Sequence, residues 1–298
     1  TIDVEAQGGS VEMADGATAT AGGNIRYLAA QDIVLGGLRG ANVMVEATGG
    51  SVTDGGDADK DVEALTAQLV AGGSVGGPGA AAIDTAVGTL AARASGGSVY
   101  VSEADALDLG TVAAIDVNRI GLDSTTTLQP GVELGGARAR NHVKVENGVD
   151  AAGDLTVSRR VAAGDDVLLD ARDGNLLVNA AVDAGAQAGD DLTLLASLGI
   201  TQNADITAGG TIDVEAFGGS VTMADGTASR TLGGNIRYAA AGDVTLGVLD
   251  ARTAADRAGG TLDEQANWGD VRVIAGGNIL DAHADEMGHD EEGFIDPL

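Results

Sequence analysis

Residues 54–63, DGGDADKDVE, place Asp57, Asp59, Asp61 and Glu63 at alternate positions, the oxygen-ligand spacing that opens an EF-hand calcium loop. The pattern then breaks. Val62 stands where that loop needs glycine and Gln68 where it needs a bidentate glutamate. The stretch is also only a fragment of the glycine-rich nonapeptide repeat that binds calcium. These four carboxylates are a candidate calcium set with an incomplete ligand shell, and diffuse screening by divalent ions is the competing reading. No other cofactor is implied.

A second group lies in DAHADEMGHDEEGFIDPL (281–298), where His283 and His289 sit among acidic residues. The spacing of the two imidazoles is too loose to define a metal centre, and polar loop is the plainer reading. His142 opens the strand-like NHVKVE and reads as a turn or surface residue. Three scattered histidines and no cysteine give a nucleophile–base system no support. The glycine pairs lack the lysine of a phosphate-cradling loop and read as turns. Carboxylates such as Asp3, Glu5, Glu46 and Asp170 are spread along the chain with no arginine obviously paired to them, and the ARAR run (137–140) and Arg159–Arg160 read as local counter-charges. A carbohydrate-binding or polysaccharide-cleaving chain needs an aromatic or Asp–Arg groove, for which six aromatic residues offer little material. The chain therefore reads as a non-enzyme.

Composition narrows the partners. The 298 residues carry 45 acidic and 16 basic side chains, a net charge of −29, and only Lys60 and Lys144 are lysines. Such a surface repels nucleic acid and anionic lipid. It suits high external salt, where self-repulsion is screened, so a halophilic source is one expectation. Without cysteine there are no disulfides, and no run of 18 apolar residues is present to insert in a membrane. The chain opens inside a strand-like pattern, TIDVEA, which points to a segment of a longer polypeptide.

The elements that position these side chains are short strands with period-two alternation. In TIDVEA, Ile2, Val4 and Ala6 face one way; in NVMVEA, Val43, Val45 and Ala47 do; in DVLLDA, Val167, Leu169 and Ala171; in DLTLLA, Leu192, Leu194 and Ala196. Further strand starts fall at Asn24, Leu65, Leu90, Val117, His142, Thr211, Asn235 and Val271, mostly 18–26 residues apart. Residues 59–71 have some helical character, yet their place between DGGDAD and GGSV favours a strand. The turns are GGN, GGS, DGG and AGD, residue types that tolerate positive φ or bond their own backbone. Proline, which breaks sheets, occurs three times.

One longer echo overlies this. TIDVEAQGGSVEMADG (1–16) returns as TIDVEAFGGSVTMADG (211–226), and GGNIRYLAAQDIVLGGL (22–38) as GGNIRYAAAGDVTLGVL (233–249). Residues 1–48 are thus echoed by 211–277, a super-repeat of about 210 residues. The second copy departs after Leu249, with an inserted side loop at about 250–269 that holds the only tryptophan, Trp268. A repeat of 20–25 residues with short strands and glycine turns predicts an all-β parallel solenoid of about a dozen coils of roughly 18–26 residues, one continuous domain over 1–298 with an acidic cap or tail at 282–298. At roughly 4.8 Å per coil it would form a rod. A β-sandwich, the alternative, would show hairpin turns, longer strands and aromatic core residues.

DDLTLLASLGITQNADITAGGTIDVEA (190–216) and AAIDTAVGTLAARASGGSVYVSEADALDL (81–109) resemble the repetitive shaft of filamentous-haemagglutinin-like adhesins, which are exported by two-partner (type V) secretion. Likeness of this texture covers nearly the whole chain, although the family's secretion domain is not visible in it. The resemblance implies a right-handed β-helix, secretion by a bacterium, and a place at the cell surface or in a filament. The expected partners are copies of the chain or adjoining repeats joined end to end, with any cell-surface or glycan ligand bound elsewhere in the parent protein.

Overall fold

The computed structural model describes residues 1–56 and 59–283. Strands dominate it, and the ladders that stack the coils are all parallel, as a β-helix requires, with antiparallel pairing confined to Thr111–Val112 against Leu134–Gly135 and to one hairpin. Eleven strands form the longest ladder: Ile2–Ala6, Ile25–Ala29, Asn42–Ala47, the second halves of Val62–Ala71 and Ile83–Ala94, then Ala137–Ala139, Val161–Ala162, Val182–Asp183, Ile206–Thr207, Ala228–Arg230 and Val248–Asp250. Residues 62–71 are a strand, and the expected coil of roughly 18–26 residues is what separates most stacked partners. Eleven coils at the spacing of paired strands make a rod about 50 Å long.

Each coil turns three faces inward, and the alternating apolar residues meet on the axis. Ile25, Val45, Leu69, Leu90, Leu155, Leu169, Leu194, Val214 and Ile236 are all fully buried and belong to one continuous core. Burying a side chain of this size stabilises by about 1.5–3 kcal/mol. Because the neighbours of each coil are only the coils above and below, that gain is realised one interface at a time.

The recurring GGS, AGD and GGN turns have a common physical cause. The oxygen of the polar turn residue accepts the backbone N–H of the turn one coil further on. Ser51 Oγ takes Ser74 N at 3.1 Å, Ser74 Oγ takes Ser98 N at 3.1 Å, and Ser98 Oγ takes His142 N at 3.3 Å. Asp166 Oδ1 takes Asp191 N at 2.9 Å, and Asp191 Oδ1 takes Thr211 N at 2.7 Å. These bonds satisfy donors where the ladder breaks at each corner. The adjoining glycines allow the close approach: a Cβ on Gly234 would lie 1.9 Å from Gly210 O, and one on Gly269 would lie 2.0 Å from Gly234 O.

Between residues 75 and 110 the faces regroup. The long strand Ile83–Ala94 bends past Gly88, which has no partner in the ladder, while Val87 and Thr89 on either side keep theirs. Its first half then stacks under Val101–Glu103, whereas its second half supports both Leu107–Leu109 and Ala137–Ala139. Val99, at the start of strand Val99–Glu103, rests on Val75. That strand founds a new ladder through Val143–Asn147, Val167–Ala171, Leu192–Ala196, Ile212–Ala216, Ile236–Ala240 and Val271–Ala275. The two copies of IDVEA therefore occupy different ladders.

The sequence predicts a further coil strand from Val117, and the structure corrects this. Val117–Ile120 pairs antiparallel with Thr126–Gln129 in a hairpin outside the solenoid. Leaving the coil at Val112, the chain descends the outer face of the first ladder. Gln68 Nε2 donates to the carbonyls of Val112, Ala113 and Val132 at 2.9–3.1 Å. Ile115 packs with Met44 and Ala91, and Asn24 Nδ2 donates to Asp116 O at 2.7 Å. The side loop between Asp250 and Val271 holds a short helix, Ala254–Gly259, capped by Thr253 and ended by left-handed Gly260.

Candidate functional site

The regrouping of faces leaves a hollow of about 160 Å³ on the outside of the rod. One wall is the turn Gly79–Ala82 that follows Pro78, which the chain needs to pass from Val75 to the long strand. The floor is made of the outward-pointing residues of two stacked strands, Tyr100 and Ser102 on one and Lys144 and Glu146 on the next. Arg172 and Val149 form the rim. Tyr100 and Lys144 also line a second hollow with His142, Asp166 and Leu168, so the two join along the face.

Charge in this groove is balanced. Glu146 accepts from Lys144 at 2.8 Å and from Arg172 at 3.2 Å. Burial raises the Asp84 carboxyl above its usual range, against a hydrogen bond from Ser102 and the charge of Lys60. Lys60 itself bonds Asp150 at 2.7 Å. Burial likewise raises Asp170, against Arg172. Both lysines of the chain and one of its three tyrosines thus sit in or beside this groove. It supplies donors and acceptors around one aromatic ring, the equipment that holds a polyhydroxyl ligand.

Beneath the groove, Glu103 points inward and is fully buried. Thr85 Oγ1 donates to it at 2.6 Å, Val87 N at 3.0 Å and Ala104 N at 3.1 Å. Desolvation pushes its carboxyl up to about 7 despite these donors. Its task is local: it accepts from the amides of Val87 and Ala104 beside the bend at Gly88.

The sequence shows no arginine obviously paired with a carboxylate set, and the structure corrects this. Arg26 lies one coil above Asp3 and Glu5 and bonds both, at 2.9 and 2.7 Å. Arg237 does the same with Asp213 and Glu215, at 2.7 and 2.8 Å. Arg119 of the hairpin adds a second guanidinium to Asp3, at 2.7 Å, and to Glu5. Although burial pushes the Asp3 carboxyl up, hydrogen bonds from Arg119 and Arg26 outweigh it and hold it below the usual range. Arg119 likewise lowers Glu5. The missed signal was D-x-E followed by Arg one coil later, a spacing that means nothing until the coil length is known.

Of the candidate calcium ligands, Asp57 lies outside the described residues. Asp61 is buried, with its carboxylate on the backbone N–H of Asp84 at 2.9 Å. Glu63 is engaged by Arg39 at 2.9 Å, and Asp59 lies in the turn ahead of the strand. Among the described residues no group of three or more His, Cys, Asp or Glu is gathered at metal-binding distance. His283 Nδ1 meets Asp225 Oδ1 at 2.5 Å, while His289 and the acidic terminal segment from 284 onwards fall outside the described residues. His142 sits at a turn, 3.1 Å from Asp166.

Comparison with protein-family models, curated proteins and solved structures finds no match. No helix among the described residues is long and apolar enough to cross a membrane.

Proposed function

We propose that this chain is a shaft segment of an extracellular bacterial adhesin or surface filament, and that its segments join end to end. One observation carries the reading. Inward-facing Val271 and Ile279 of the last described coil are 47% and 56% exposed, whereas Ile236 and Val244, their partners one coil below, are fully buried. At the other end, strand Ile2–Ala6 pairs on one side alone among the described residues. Open strand edges above an apolar core favour the addition of further coils, whether of the same polypeptide or of a second copy. The likeness of residues 81–109 and 190–216 to haemagglutinin-type shafts supports the same role, and secretion follows from it.

Sedimentation and electron microscopy across a concentration series test this. Rods whose lengths are multiples of about 50 Å are expected. Single short rods at high concentration, in both low and high salt, would overturn end-to-end joining.

The groove at Tyr100 favours a second reading, glycan binding by the shaft itself. A glycan array probed with the protein and with Tyr100→Ala tests it: binding lost in the variant supports this reading, and no bound glycan removes it.

A further inference from the structure

Two columns of outward side chains cross the groove at Tyr100, and each step along a column is one coil, about 4.8 Å. In the first, Ser102 lies in register with Asp84 below it and Glu146 above, and Asp170 follows one coil further. Beside it run Tyr100, Lys144 and Leu168. The groove thus has an aromatic ring and a hydroxyl at one level, with a carboxylate on the level below and another on the level above.

The two carboxylates are not served alike. Glu146 takes both cations of the groove, Lys144 at 2.8 Å and Arg172 at 3.2 Å, and Arg172 also reaches Asp170 at 3.7 Å. Asp84 has the Ser102 hydroxyl but, among the described residues, no ion pair. Lys60, whose charge it feels, is bonded to Asp150 at 2.7 Å, and the carboxylates of Asp54 and Asp150 add negative charge around it. Burial without a paired cation disfavours the charged form of Asp84. A ligand that brings a positive charge relieves this, and one that brings a negative charge worsens it. The net charge of −29 acts in the same sense, drawing cations to the rod and turning anions away. Size sets a second limit. The hollow of about 160 Å³ falls below the roughly 300–1,000 Å³ of pockets that enclose drug-sized ligands, and it suits one sugar ring.

We propose that the groove takes a single amine-bearing sugar residue, a hexosamine with its amino group free. The ammonium lies against Asp84 and supplies the cation this carboxylate lacks. The sugar ring stacks on Tyr100, and its hydroxyls exchange hydrogen bonds with Ser102, Lys144 and Glu146. A lysine side chain of a partner protein would offer the same ammonium but no hydroxyls for these three residues, which favours the sugar. This inference rests on the glycan-binding reading of the groove and adds to it the class of sugar and the residue that selects it.

Titration of the whole chain with glucosamine, N-acetylglucosamine and glucose at neutral pH, followed by saturation-transfer NMR, tests this. Glucosamine should bind at least about tenfold more tightly than either neutral sugar. Asp84→Asn should erase that difference and leave the melting temperature unchanged, because its amide oxygen still accepts from Ser102. The sugar series on the unmodified protein decides the same point if the variant folds poorly. Neutral sugars that bind as well as glucosamine, or a preference for glucosamine that survives in Asp84→Asn, overturn the amine assignment and leave glycan binding standing. Binding of Nα-acetyl-lysine amide in place of glucosamine overturns the sugar and moves the site to a protein partner. No sugar bound, either in the titration or on the glycan array, overturns both.

Discussion

Arg119 and Asp3, 116 residues apart in the chain, are joined by a 2.7 Å ion pair that ties the hairpin to the first coil. The second repeat shows what the hairpin adds. There, among the described residues, Arg237 alone holds Asp213 and Glu215, and no inserted strand lies over them. Arg26 still bonds Asp3 at 2.9 Å when Arg119 is removed, so no carboxylate is left unpaired and Arg119→Met should leave the melting temperature nearly unchanged. Its effect should be local: faster amide exchange over residues 117–129, with Arg26 still holding Asp3. Hydrogen-exchange mass spectrometry checks this, and unchanged protection in the hairpin would show that Gln68 and Asn24 suffice to hold it.

Glu103 gives the rod a pH dependence of definite sign. Its carboxyl is raised to about 7 in the folded chain and is near 4.3–4.5 when unfolded. Between roughly pH 4.5 and 7 the folded state therefore holds a proton that the unfolded state has released, and stability falls as pH rises through that window. A shift of this size corresponds to about 2–3 kcal/mol between pH 5 and pH 8. Glu103→Gln keeps an oxygen for the amides of Val87 and Ala104 and removes the titration. The difference in urea midpoint between the two proteins should change across this window, and a constant difference would show that Glu103 titrates normally.

Much of this fold is legible in the sequence because a solenoid repeats its local rules. The alternation of Val167, Leu169 and Ala171 defines an inward face, and the AGD and GGS turns recur because each caps the next coil. The hairpin is hidden for the same reason. Val117 falls near the expected start of a coil strand, and only the tertiary contacts of Asp116 and Arg119 show that it lies outside. The arginine clamps depend on pairing across one coil, which is invisible until stacking is known. The groove at Tyr100 arises where ladders regroup, at a bend around Gly88 that no residue pattern announces.

Net charge predicts how the rod responds to salt. A charge of −29 on one chain repels itself over about 10 Å at 0.1 M salt and about 3 Å at 1 M. The ion pairs are mostly half-exposed, so their own screening costs little beside the relief of repulsion. The melting temperature should therefore rise by several degrees between 0.05 and 1 M sodium chloride. A melting temperature that stays flat or falls would remove the expectation of adaptation to brine.

Two tyrosines in equivalent positions of the repeat separate packing from hydrogen bonding. Tyr27 and Tyr238 both follow the sequence GGNIR and both point into the core, yet their surroundings differ because the second repeat lies in another ladder. Tyr238 donates to Gln202 Oε1 at 2.6 Å and meets Ser229 Oγ at 2.6 Å, a network that draws on all three faces of the coil stack. Burial raises its phenol well above the usual range. Tyr27 makes no such side-chain bond among the described residues, and burial raises its phenol as well. Removing the Tyr238 hydroxyl leaves Gln202 Oε1 with only the long bond from Ser229 Oγ at 3.4 Å, and an under-satisfied buried acceptor costs about 1–3 kcal/mol. Tyr238→Phe should therefore lower stability by about that amount, whereas Tyr27→Phe should be near neutral. Urea unfolding followed by circular dichroism decides between them; equal losses in the two variants would mean that ring packing, and not the Gln202 network, sets the stability of this part of the core.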